Sequence, residues 1–206
     1  MKIDCISDLH GYTPALSGGD LLLIAGDLTA RDTTEGYEKL IQWLITVPYK
    51  HKVLIAGNHD GLVEAKAVSL SRPEDNIHYL CDSEITIEGL NIWGSPYTPT
   101  FMSWHFMRNR GPDIKKHWDL IPSGIDILIT HGPPYGIFDA NLAGVHVGCQ
   151  DLLQAVQERI KPKFHIFGHI HEEAGNMKTI GPTTFVNCSL VDVHYRLRHP
   201  AMQIVF

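Results

Sequence analysis

Five short stretches of this chain end an apolar run in side chains that can bind a metal or move a proton. They are Asp8-Leu9-His10, Asp27 after Gly26, Asn58-His59-Asp60 after Gly57, His131 before Gly132, and His169-Ile170-His171 after Gly168. Any one of them has a turn-forming explanation, because Asn and Asp favour turns and Gly supplies positive φ. Pooled, Asp8, His10, Asp27, Asn58, His131, His169 and His171 offer carboxylate, amide and imidazole donors. That mixture suits manganese, iron or zinc, whereas magnesium or calcium favours nearly all oxygen. These seven donors exceed the needs of one tetrahedral ion, so two divalent ions are expected, manganese first. A metal pair needs a bridge, and Asp27 is the candidate carboxylate. A bridging water acidified toward hydroxide by both ions would serve as a nucleophile. In Asp8-x-His10 and His169-x-His171, alternate side chains fall on one side if the segment is extended.

Elements must deliver these groups to one place. The apolar runs KIDCIS, LLLIAG, KVLIAG, DILIT and FHIFG each lead directly into one polar cluster, and continuous runs of this length read as strands buried on both faces. Tyr37, Leu40, Ile41, Leu44 and Val47 recur at helical spacing and stop at Pro48. A second helix is predicted from about Cys149 to Ile160, and a weaker pattern through Leu62, Ala65 and Val68 suggests a third. IHYL, EITIEGLNIWG, TTFVNCS and MQIVF read as hairpin-like strands with Gly turns, which implies a second sheet. Thr98 to Ser123 has no clean period and reads as a long loop with short helices. The expected fold is one α/β domain over residues 1–206, two mixed β-sheets packed as a sandwich and flanked by helices. Ligands of open α/β sheets gather outside the carboxyl ends of the strands, so the five turns should meet at one edge.

Composition narrows the partner. A formal charge of −6 argues against gripping a polyanion over a wide surface, which leaves extended nucleic acid disfavoured and a small phosphate ester in place. The four cysteines lie far apart without a CxxC pair and read as reduced thiols. The chain carries neither an apolar run of about 18 residues nor a signal-peptide pattern at MKIDCISDLH, so a cytoplasmic location off the membrane is expected. Oligomeric state is not legible.

The series DLH, GDL, GNHD, THGPP and GHIH, in that order from Asp8 to His171, resembles the calcineurin-like metallophosphoesterase superfamily. GSPYTPTF, ILITHGPP and GHIHEEAG further resemble its small metallophosphoesterase-domain branch, grouped with class III cyclic nucleotide phosphodiesterases. The resemblance implies the four-layer α/β/β/α fold and a metal-dependent phosphodiesterase acting on small diesters such as cyclic nucleotides. It implies that Asp8, His10, Asp27 and His171 hold one ion and that Asp27, Asn58, His131 and His169 hold the other. It also implies that His59 donates to the phosphate or the leaving oxygen and that Asp60 orients it, a pairing suited to general-acid work near neutral pH. A nuclease or phosphomonoesterase with the same centre is the enzymatic alternative, and a metal-binding interaction scaffold is the alternative of another class.

Arg108, Arg110 and His146 are candidate substrate contacts, since guanidinium matches phosphate oxygens in pairs. Trp104 and Phe106 are candidates to stack on a base or an aromatic leaving group. His105 and His117 lie in the long loop and could approach the cleft, whereas His51, His78, His165, His194 and His199 read as surface or edge residues.

Overall fold

The computed structural model describes residues 1–206. Strands β1 (Lys2–Ile6), β2 (Gly19–Ala25) and β3 (Tyr49–Ile55) come first, with helix α1 (Thr34–Thr46) between the last two. A single helical turn, α2 (Gly61–Glu64), precedes β4 (Ile77–Tyr79), β5 (Ser83–Ile87) and β6 (Leu90–Ser95). The two-residue strands β7 (Thr98–Pro99) and β8 (Met107–Arg108) and helix α3 (Pro112–Asp119) follow. Strand β9 (Ile127–Thr130) leads to helix α4 (Gln150–Ala155), which continues as a π turn through Val156–Ile160. The chain closes with β10 (Phe164–Phe167), β11 (Met177–Ile180), β12 (Thr183–Asn187) and β13 (Met202–Val205).

The strands form two mixed sheets, ordered β13-β1-β2-β3-β4 and β11-β12-β10-β9-β6-β5. β1 to β4 run parallel, as do β12, β10, β9 and β6, while β13, β11 and β5 are antiparallel edges. Alternation along the strands builds the layers, because both faces are apolar. Leu21, Leu23 and Ala25 of β2 pack with Ile127, Ile129 and Ile166 of the other sheet, forming the middle of the sandwich. Leu22 and Ile24 face outward onto Tyr37, Leu40, Ile41 and Leu44 of α1. On the far side Leu128, Phe167 and Phe185 meet Ile114 and Trp118 of α3 and Leu152 of α4. Thr33 caps α1 by accepting from Gly36 N–H at 3.2 Å, and the helix stops before Pro48.

Three expectations change. β4 and β13 are not hairpin strands of a second sheet: β4 lies parallel to β3 and β13 antiparallel to β1, both in the first sheet. The helix expected through Val68 ends at Glu64, because Lys66 turns into the left-handed region at φ 55°. The Thr98 to Ser123 region holds the short helix expected of it and, unexpectedly, a parallel strand pair. No helix is long and apolar enough to cross a membrane.

Candidate metal centre

All five polar clusters lie at carboxyl ends of parallel strands, but the strands divide between the sheets. Asp8 and His10 follow β1, Asp27 follows β2 and Asn58 follows β3; His131 directly follows β9, and His169 and His171 follow β10. The site therefore spans the two sheet edges and closes the end of the sandwich. The first two turns are sewn together by backbone bonds, Asp8 N–H to Gly26 O at 3.0 Å and His10 N–H to Asp27 O at 2.9 Å.

The carboxylates are gripped in turn. Asp27 accepts from His59 N–H at 2.8 Å and Asp8 from His169 N–H at 2.9 Å, so each acid is oriented by the backbone of another motif. Asp8, His10, Asp27 and His169 all have positive φ, at 54°, 40°, 54° and 69°. The extended geometry expected for Asp8-x-His10 and His169-x-His171 is therefore replaced by strained turns, which persist only where the surroundings over-determine them. Glycine beside them is a matter of space. A Cβ on Gly168 would collide with Asp8 Oδ2, and one on Gly57 with Asp27 Oδ1.

Donor atoms converge in overlapping groups, Asp8 with His10 and His171, Asp8 with Asp27 and His131, and His10 with Asp27 and His59, each within 4.8 Å of one another. His171 Nε2 lies 3.3 Å from Asp8 Oδ1, and His131 Nε2 lies 2.9 Å from Asn58 Oδ1 and 3.4 Å from Asp27 Oδ1. His131 Nδ1 donates to Ala25 O at 2.8 Å, so in the neutral ring Nε2 turns a lone pair toward two oxygen acceptors. A proton or a cation between them reconciles them. His10 Nε2 is buried without a hydrogen-bond partner, a second donor atom aimed into the cluster. The residues present thus fit a pair of divalent ions.

Electrostatics agree. Burial pushes the Asp8 carboxyl up, but His171, His131 and His10 hold it well below the usual carboxylate range. Burial likewise opposes charge on His131, yet Asp27 and Asp8 bring it up to about 9. His169 is driven down to about 3 by burial and by His131, which leaves its ring neutral and able to donate a lone pair.

His59 lines the open side, its Nε2 3.9 Å from Asp27 Oδ2 and its ring 4.9 Å from that of His10. Asp60 does not orient it. That carboxylate is fully buried and accepts from Leu28 N–H and from Gly57 N–H at 2.7 Å, tying the Asp27 turn to the Asn58 turn, while the single Tyr37 hydroxyl proton is shared between it at 3.1 Å and Asp32 at 2.7 Å.

Of the proposed substrate contacts, Arg108 pairs with Glu64 at 3.6 Å and lies over the Tyr97 ring, outside the cleft. His146 is engaged by Asp139 at 2.6 Å and is also outside it. Arg110 reaches the cleft but donates to Gly148 O and Val147 O, both at 2.6 Å, and so braces the wall. His117 is buried on α3 against Asp82 and Tyr97, and exposed His105 faces Glu64. Phe106 is buried in the outer core rather than free to stack, whereas Trp104 does line the cleft. His165, read as a surface residue, is fully buried; Thr130 Oγ1 donates to Gly132 O, so His165 Nε2–H donates to Thr130. Tyr195 was not singled out by sequence, because its place beside His10 and His171 arises from a turn with no motif of its own.

A profile of the family described as calcineurin-like phosphoesterase matches residues 1–173. Metallophosphoesterase domain-containing protein 1 of Homo sapiens is 39% identical, over 97% of this chain and 69% of that protein. UPF0046 protein C25E10.12 of Caenorhabditis elegans is 36% identical, over 100% of this chain and 80% of that protein. Among solved structures, phosphopantetheinyl hydrolase (PptH) of Mycobacterium tuberculosis matches with a TM-score of 0.64 over 99% of this chain and 95% of that one. At 15% identity that likeness is one of fold.

Proposed function

Because the chain belongs to the calcineurin-like phosphoesterase family, we propose that it is a two-metal phosphodiesterase acting on small diesters, cyclic nucleotides among them. In this reading Asp8, His10, Asp27 and His171 hold one ion, and Asp27, Asn58, His131 and His169 hold the other. The mixed oxygen and nitrogen donor set favours manganese, with iron or zinc as substitutes. When bound, the ions supply Lewis-acid charge that acidifies a water and neutralises the phosphate oxygens.

The chain's own groups do the rest. The backbone N–H groups of His59 and His169 fix the faces that Asp27 and Asp8 turn to the site, while Ala25 O fixes the His131 tautomer. His59, on the open side of Asp27, holds a proton at Nε2 for the phosphate or the departing oxygen.

Preference for a diester rests on one observation: neither arginine of this region is aimed at the cluster. Arg108 lies outside the cleft and pairs with Glu64, and Arg110 keeps its charge but turns both terminal nitrogens to the Val147 and Gly148 carbonyls in the wall, so neither is placed to meet the second negative charge of a monoester. The test is hydrolysis of bis-p-nitrophenyl phosphate and p-nitrophenyl phosphate by chelator-stripped protein before and after manganese is added. Manganese-restored cleavage that favours the diester is expected. Cleavage of the monoester alone would overturn the diester assignment, and cleavage of DNA with manganese would move the reading to a nuclease.

A further inference from the structure

The cleft above the metal-binding cluster has a volume of about 540 Å³ and carries three aromatic rings, one beside each part of the cluster. The Trp104 ring lies 4.3 Å from that of His59, Phe101 lies 5.2 Å from His169, and Tyr195 lies 4.8 Å from His10 and 5.2 Å from His171. Phe101 and Trp104 are each 39% exposed and Tyr195 is 49% exposed, so none is consumed by the core. Exposed apolar surface gathered around a polar cleft is surface that a ligand can cover.

The rings are held by built turns. The β7–β8 connection is anchored by buried Phe106, by Thr98 N–H to Phe106 O at 3.0 Å, and by His105 N–H to Asn58 O at 3.2 Å. Tyr195 sits at φ 59° in a turn whose hub is Asp192, which accepts from the N–H groups of His194 and Arg196 and from Arg196 Nε. Tyr12 Oη adds a bond to Tyr195 O at 3.2 Å. Rings fixed in advance lose little freedom when a ligand arrives. The polar wall is fixed as well: Glu172 accepts from Leu142 N–H, and Arg110 is held by the Val147 and Gly148 carbonyls.

We propose that Trp104, supported by Phe101 and Tyr195, forms an aromatic subsite that binds the organic group of the ester and selects substrates carrying a flat aromatic substituent. The proposal rests on the phosphoesterase reading for the position of phosphorus and adds the class of group attached to it. A ring on that phosphorus would stack in offset or edge-on fashion against Trp104, the geometry that aromatic pairs prefer.

The experiment measures inhibition of bis-p-nitrophenyl phosphate cleavage by phenylphosphonate, cyclohexylphosphonate and methylphosphonate, with each affinity measured independently by isothermal titration calorimetry on the metal-loaded protein. Phenylphosphonate should bind about tenfold more tightly than methylphosphonate and clearly more tightly than cyclohexylphosphonate. That ratio should collapse toward one in Trp104→Ala and largely return in Trp104→Phe. Equal affinity for phenyl and methyl would overturn the subsite, and equal affinity for phenyl and cyclohexyl would overturn its selectivity for flat rings. If no ester is cleaved with metals bound, the hydrolase reading fails, while the calorimetric ratios still decide the subsite.

Discussion

His59 and Asn58 are neighbours in sequence with opposite stakes in the centre. Asn58 Oδ1 faces His131 Nε2, so Asn58→Ala removes a proposed metal donor, and metal content and turnover should fall together. His59 lies on the open side, 3.9 Å from Asp27, and His59→Ala should keep its metals while losing about 10²–10⁴-fold in kcat, most for poor leaving groups. Elemental analysis beside kinetics separates the two; loss of both metals from His59→Ala would end the proton-donor assignment. Gly168→Ala drives a methyl into Asp8 Oδ2, so its metal stoichiometry should drop while far-ultraviolet circular dichroism stays unchanged. The residues that the fold gathers into the cluster were legible because each follows an apolar run. The state of the arginines was not, because Arg110 is satisfied by carbonyls 37 and 38 positions away, which no local pattern announces.

Turns between elements carry stability as well as chemistry. Asp60 joins the turns after β2 and β3, and Asp60→Ala leaves the N–H groups of Leu28 and Gly57 without their buried acceptor. A loss of about 2–5 kcal/mol in urea denaturation is expected, against about 1 kcal/mol for Tyr37→Phe, which removes one donor. On β10, burial pushes His165 down to about 3, well below the ordinary histidine value of about 6.5. The unfolded chain therefore binds the extra proton first as acid is added. The stability this neutral ring contributes is complete above about pH 6.5 and is lost toward pH 3, by up to about 1.4 kcal/mol per pH unit. His165→Gln should show a shallower loss of stability over that window, and an unchanged slope would mean that the ring is not held neutral. Helix α1 was readable from its spacing and from Pro48, whereas β4 misled because a three-residue apolar strand carries no mark of which sheet it will join.

Across the whole molecule, the proposed ligands come from both halves of the sandwich, so bound ions would act as a clasp between sheets that otherwise meet through apolar packing. At about 100 times its dissociation constant a bound ion adds about 2.7 kcal/mol, which for a chain of this size is on the order of 5–10 °C in Tm. Manganese should raise the melting temperature and chelation should reverse it; a metal-independent Tm would argue against a clasp. The two-sheet architecture followed from apolar runs alternating with helices and hairpins, while the split of the motifs between two sheet edges depended on strand order, which periodicity does not encode.

The contact between His171 Nε2 and Asp8 Oδ1 closes a loop of 163 positions. A contact so distant in sequence forms late, after the loop-closure cost has been met by the strands beneath it. Metal is then absent from the folding nucleus and acts as a brake on departure. In a chevron plot, manganese should lower the unfolding arm and leave the folding arm where it was.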